Sequence, residues 1–316
     1  MNISIVVPVY NEVESLPELT GWIDRVMKEN RLSYEVIMVD DGSNDGSWEK
    51  IVELKKEHPE IRGIKFRRNY GKSAALHTGF HTARGEVVVT MDADLQDSPE
   101  EVPEMYRMIK EEGLDLVSGW KKKRYDPVLS KNIPSKVYNW AARKLSGIYL
   151  HDFNCGLKAY RNNVVKSIEV FGEMHRYIPV LAKASGFKKI GEKVVQHQER
   201  KYGVTKFGME RFINGFLDLL TVTFMTRFGK KPMHLFGLIG TLMFMIGFIL
   251  LLIIGIEKWA ALRHHVPARL MADNVLFYLS ITCMIIGTQL FVGGFLGELV
   301  SRSATDRNRY EIETEL

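Results

Sequence analysis

Two stretches of this chain, residues 236–256 (FGLIGTLMFMIGFILLLIIGI) and 275–296 (VLFYLSITCMIIGTQLFVGGFL), carry no charged side chain. Each matches the roughly 20 apolar residues that a helix needs to cross a bilayer core. A helix apolar on every side at that length has no polar face to show to water. The chain is therefore predicted to span a membrane twice. This separates a domain over residues 1–207 from an amphipathic, interface-lying helix and linker over 208–235. A first span over 236–256, an external loop over 257–274, a second span over 275–296 and a tail over 297–316 follow.

The N-terminus, MNISIVVPVYNE, has neither a basic leader nor a small-residue cleavage site and reads as a first strand. The large domain is accordingly expected in the cytoplasm, and two spans return the tail to the same side. Arg227, Lys230 and Lys231 precede the first span, and Arg302, Arg307 and Arg309 lie in the tail. The intervening loop also holds Lys258, Arg263 and Arg269, so the charge bias between the two sides is small. The net charge of +5 is modest and concentrates beside the spans, which suits anionic headgroups rather than nucleic acid. Cys155 and Cys283 are far apart and form no metal-ligand spacing.

Before the spans, strand-like and helix-like segments alternate. ISIVVPVY, YEVIMVD, IRGIKF, EVVVTM and DLVSGW read as strands, and the segments between the first four and after EVVVTM read as helices. Such alternation predicts an α/β fold: a mainly parallel sheet with helices on both faces. Ligands gather at the carboxyl ends of such strands. The polar groups YNE, DDGS, NYGK and DADLQD fall there. From about residue 121 to 206 the pattern loosens, with a helix expected in PSKVYNWAARKLSGI. MERFINGFLDLLTVTFMTRF has a narrow polar stripe at Arg211, Asn214, Asp218 and Thr221, as expected of a helix lying in the membrane interface.

The fourth strand ends in Asp92, Asp94 and Asp97. Three carboxylates this close repel one another unless a cation joins them. A D-x-D pair can hold a hard divalent ion whose other ligands are phosphates and water. It can equally supply helix caps, a role open to Asp97 or Ser98. No glycine-rich dinucleotide turn follows the first strand and no P-loop occurs. Asp40 and Asp41 offer acceptors where a nucleobase and ribose can donate.

IVVPVYNE, VDDGSNDGS, NYGKSAAL, MDADLQD and NCGLKAYR, in this order, resemble the family-2 glycosyltransferases of the GT-A (Rossmann-like) fold. The chain is most similar to their polyprenyl-phosphate branch: dolichyl-phosphate mannose synthases and bacterial undecaprenyl-phosphate glucosyltransferases. It lacks the Q-x-x-R-W signature of the processive synthases. The resemblance implies a nucleotide-sugar site from Pro8, Tyr10, Glu12, Val39, Asp41, Lys72, Asp92 and Ala93. It implies Mg²⁺ or Mn²⁺ on Asp92, Asp94 and Gln96, and an acidic residue, Asp152, facing the sugar. Arg200 and Lys206 would bind the lipid phosphate, with Lys123 and Arg124 as further candidates. The implied reaction is inverting transfer of a hexose, from a nucleotide-diphosphate sugar with uridine as the expected base, to a polyprenyl phosphate of undecaprenyl or dolichyl type. It takes place at the cytoplasmic face of the inner membrane, and two isolated spans leave room for a homo-oligomer. Two rivals are a haloacid-dehalogenase-like phosphotransferase, which usually has Gly-Thr where Leu95-Gln96 stand, and a membrane-anchored nucleotide-sugar-binding protein or flippase partner without catalysis.

Overall fold

β1 (Ile3–Val9) is buried at every position but Pro8, as a strand with helices on both faces must be. Its side chains alternate: Ile3, Ile5, Val7 and Val9 join one core, and Val6 joins the other. In the computed structural model the described residues are 1–122, 139, 142–144, 146–198, 201–202, 221–225, 228–229, 231–264 and 270–303. They fall into two units, Met1–Thr223 and Phe224–Leu316.

In the first unit β1 is flanked by β2 (Tyr34–Asp40) and β4 (Val87–Thr90), with β3 (Ile61–Lys65), β5 (Leu116–Trp120), β6 (Lys158–Arg161) and β7 (Ile190–Val194) completing one sheet. The strand order is β3-β2-β1-β4-β6-β5-β7. β6 runs antiparallel to both its neighbours, β4 and β5, and the other pairings are parallel. The sheet is therefore mixed. The alternation of the first 120 residues signals only its parallel part.

Helices cover both faces. α1 (Leu16–Glu29) starts with proline in its first turn and buries Leu16, Leu19, Ile23, Val26 and Met27 on one stripe. α2 (Ser47–Glu57), α3 (Lys72–Thr82) and α4 (Val102–Lys110) follow β2, β3 and β4. Short helices α5 (Asn162–Lys166) and α6 (Ile178–Ala184) close the second core, where Phe80 and Tyr160 meet edge to face at 5.6 Å. Away from the ligand end, Glu35 ties three segments together. Its carboxylate accepts from Ser4 Oγ at 2.7 Å, Arg84 N at 2.8 Å and Arg62 Nη1 at 2.8 Å.

The second unit is a helical hairpin, α7 (Pro232–Arg263) and α8 (Val275–Ser303). Both helices outrun the uncharged stretches. α7 begins at a proline and continues through Glu257 and Lys258, so part of the expected 257–274 loop is helical. Charge does not end a helix; a proline at its first turn sets its start. The two backbones touch where glycine permits. A Cβ on Gly240 would lie 2.6 Å from Gly287 O, and one on Gly247 would lie 2.5 Å from Ser280 O. The expected interfacial helix lies mostly outside the described residues. Of the helix expected in 134–148, only residues 139, 142–144 and 146–148 are described, and 139, 142–144 and 146 are helical.

Candidate active site

The carboxyl ends of β1, β2 and β4 and the entry to α3 carry the expected groups. After β1, Asn11 takes a left-handed conformation, φ 56°. Its backbone N–H donates to Ser43 Oγ at 3.0 Å, and Glu12 N–H donates to Ser47 Oγ at 3.0 Å. These bonds lock the YNE turn to the loop after β2. Pro8 is half-buried and Tyr10 is exposed, at the cleft end of β1. Val39 is wholly buried and pairs across the sheet with Pro8 and Ile64. Its side chain joins the second core.

Asp41 does not cap α2; that start is held by Asp45, whose carboxylate accepts from Ser47 N–H at 3.0 Å. Asp41 instead grips the turn before α3, accepting from Tyr70 N–H at 2.7 Å and Gly71 N–H at 2.9 Å. Burial still pushes its carboxyl up from the usual range. Gly42 makes this approach possible at φ 74°, because a Cβ there would fall 2.5 Å from the Arg68 carbonyl carbon.

The DADLQD segment answers the question of its own repulsion. Asp92, Asp94 and Gln96 are partly exposed, while Ala93, Leu95 and Asp97 between them are buried. Leu95 sits at φ 62°, a strained geometry of the kind that accumulates at functional loops. The cation beside Asp92 is the Lys72 ammonium. The Asp92 side chain is 34% open. Burial opposes its ionisation, but the Lys72 ammonium outweighs this and holds its carboxyl down at about 2. Asp97, fully buried, has a separate partner, the half-buried Lys121 at 2.8 Å, so the third carboxylate belongs to an ion pair.

The geometry gives roles to residues that the sequence reading left without one, Gly156 and Lys158 of NCGLKAYR among them. A Cβ on Gly156 would fall 2.7 Å from Asp92 Oδ2, and Thr90 Oγ1 donates to Gly156 O at 2.8 Å. Lys158 is buried, with its Nζ donating to the carbonyls of Phe153 and Cys155. Burial lowers its pKa. His175 packs on Ser73: its backbone N–H donates to Ser73 Oγ at 3.1 Å, and its Nδ1 lies 3.1 Å from the same oxygen. Burial, then Lys72 and Arg176, push the His175 imidazole well below its ordinary value, so it is neutral at physiological pH. An isolated histidine some eighty residues from the D-x-D carries no signal in sequence.

Asp152 is buried, and its Oδ1 accepts from Asn154 N–H at 3.0 Å in a tight turn. Its own N–H donates to Glu192 Oε1 at 3.2 Å, and Glu192 also receives His151 N–H at 2.7 Å. Arg200, Lys206, Lys123 and Arg124 lie outside the described residues. The chain just before Arg200 is joined to the D-x-D loop: Gln198 N–H donates to Gln96 O at 3.0 Å, and His197 bridges Asp97.

These features agree with what the chain resembles. The model of the glycosyl transferase family 2 domain matches residues 4–169. The chain belongs to glycosyl transferase family 2. It is 34% identical over 308 residues to the dodecaprenyl-phosphate galacturonate synthase of Rhizobium johnstonii, covering 96% of this chain and 88% of that one. It is 38% identical over 318 residues to the undecaprenyl-phosphate 4-deoxy-4-formamido-L-arabinose transferase of Pectobacterium atrosepticum, covering 99% and 93%. Among solved structures, the fold matches glucosyl-3-phosphoglycerate synthase from Mycobacterium tuberculosis, in complex with Mn²⁺, UDP-glucose and phosphoglyceric acid. That match has a TM-score of 0.52 at 16% identity, covering 71% of this chain and 79% of that one. It also matches the mannosyltransferase PcManGT from Pyrobaculum calidifontis, in complex with GDP-Man and Mn²⁺, with a TM-score of 0.50 at 17% identity, covering 96% and 75%. At these identities the likeness shows the GT-A fold.

Proposed function

We propose that this family-2 glycosyltransferase moves a sugar from a nucleotide diphosphate to a polyprenyl phosphate at the cytoplasmic face of the inner membrane. The observation that carries the reading is the alternating exposure of Asp92, Asp94 and Gln96 beside Lys72. Both curated relatives named above act, by name, on polyprenyl phosphates. The sugar is read as a hexose carried on UDP.

The donor set suits Mg²⁺ or Mn²⁺: two carboxylates and an amide oxygen, all hard ligands. Among the described residues no group of three His, Cys, Asp or Glu side chains can hold a metal alone, which fits a site completed by the donor's diphosphate. Such an ion, when bound, neutralises charge on the departing diphosphate. Asp41 offers its carboxylate to the nucleoside, and Lys72 and the first turn of α3 face the phosphates. A phosphate oxygen of the lipid attacks the anomeric carbon. The bond from that carbon to the diphosphate breaks, its electron pair leaves on the diphosphate, and configuration inverts. The attacking oxygen is already anionic, so positioning matters more than proton removal. Arg200 and Lys206 are assigned to hold it.

The test is a transfer assay in lipid vesicles with undecaprenyl phosphate and a panel of nucleotide sugars. Asp94→Asn is expected to lose about 100-fold or more in turnover while keeping its fold. Full turnover with unchanged metal dependence defeats the metal assignment. Arg200→Ala is expected to weaken acceptor use and spare nucleotide binding. The opposite pattern moves that residue to the donor side.

A further inference from the structure

Lys72 stands where a divalent ion would have to stand. Its ammonium contacts Asp92 Oδ1 directly, and the pair is not sealed: 33% of the Lys72 side chain and 34% of that of Asp92 remain open. An ion pair of this exposure can exchange without stripping a buried charge of its partner. The main chain beneath it is fixed. Asp41 holds the Tyr70 and Gly71 N–H groups, and the Ser73 hydroxyl accepts from the His175 backbone N–H. Gly71, at φ 93° with nothing near its Cβ position, supplies the bend that aims Lys72 at the cleft. Only the four-carbon side chain is left to move. The other cationic groups near Asp92 do not compete for it: Lys121 is paired with Asp97, Lys158 is held by two carbonyls, and His175 is neutral.

We propose that Lys72 is a tethered stand-in cation that neutralises Asp92 in the donor-free enzyme and yields it to the divalent ion only when the nucleotide diphosphate arrives to take the ammonium. A dication alone gains Asp92 but leaves Lys72 unpaired beside it, and like charges at this range repel. A dication with a diphosphate gives every charge a partner. Ion and donor therefore bind as a pair, and the coupling between them runs partly through Lys72. This rests on the assignment of the metal to Asp92 and Asp94.

The experiment measures Mn²⁺ binding to the full-length protein by the electron paramagnetic resonance of the free ion, with and without UDP. Lys72→Met is expected to bind Mn²⁺ about tenfold tighter than wild type without UDP, and to gain less from adding UDP. Lys72→Arg, which keeps the charge, is expected to behave like wild type without UDP. Circular dichroism checks that each variant is folded. If wild type binds Mn²⁺ with UDP but Lys72→Met binds it no tighter without UDP, the stand-in role is wrong and the metal site survives. If Lys72→Met does not fold, Lys72→Gln takes its place in the same comparison. If no form binds Mn²⁺ even with UDP, the metal assignment itself falls, and this proposal with it.

Discussion

Gly156 shows how one atom can decide the geometry of a carboxylate. Its φ is not in the left-handed region, so alanine is tolerated by the backbone there. The new Cβ would meet Asp92 at 2.7, 2.9 and 3.0 Å from Oδ2, Cγ and Oδ1, inside any van der Waals limit. Gly156→Ala should therefore turn the carboxylate away while leaving most of the stability. The expected result is at least about a tenfold fall in turnover, with a melting shift of a few degrees at most, read by transfer assay and thermal unfolding. At this scale the D-x-D was legible, because carboxylates crowded at a strand end call for a cation; the joint exposure of Asp92, Asp94 and Gln96 was not, because a turn at residues 93–95, with Leu95 at φ 62°, sets it. The anchoring of Lys72 by Ser73 and His175 was not. It depends on a 102-residue separation that only the folded chain closes.

Among the elements, β1 to β5 announce themselves through apolar runs bounded by turn residues. β6 and β7 do not. β6 reads KAYR, with a lysine buried against carbonyls, and no residue of β7 is fully buried. Edge and mixed strands of this kind have no hydrophobic period to detect. The end of the sheet opposite the site depends on Glu35. Burial drives its carboxyl up, but the Arg62 guanidinium, the Ser4 hydroxyl and the Arg84 N–H outweigh this and hold it below the ordinary 4.5. A carboxyl depressed in the fold contributes its full stability above the unfolded value and loses it as pH falls through the folded value. Glu35→Gln should cost about 1–3 kcal/mol near neutrality. Wild type should lose more stability than the variant between about pH 5 and pH 3. Denaturation midpoints across that range, in detergent, measure both. A constant gap between the two proteins would place the stabilisation in packing rather than in the charge.

For the whole molecule, the division of labour follows from where the substrates live. The acceptor's hydrocarbon tail cannot leave the bilayer cheaply, at about 0.8 kcal/mol per CH₂, while the donor is soluble. Charge-free stretches made the hairpin legible. The glycine contacts that join it were hidden, because Gly240, Gly247 and Gly287 look like any membrane glycines until the backbones are seen to touch. Two crossings, as proposed, would put the donor-binding unit and the C-terminal end of α8 on one side and the α7–α8 connection on the other. That side should be the cytoplasm, where nucleotide sugars are made. The two ends of the hairpin supply the probes. Arg263 closes α7 and Ser303 closes α8, and both are exposed. Cys283 lies inside α8 and Cys155 is buried, so a Cys283→Ala background leaves little competing reactivity. In intact cells an impermeant maleimide should label Arg263→Cys, and should label Ser303→Cys only after the membrane is opened. Labelling of Ser303→Cys alone in intact cells would turn the molecule over and strand the D-x-D cleft away from its donor. Labelling of both would mean that α8, which lies between the two probes, does not cross, and the two-span reading would fall.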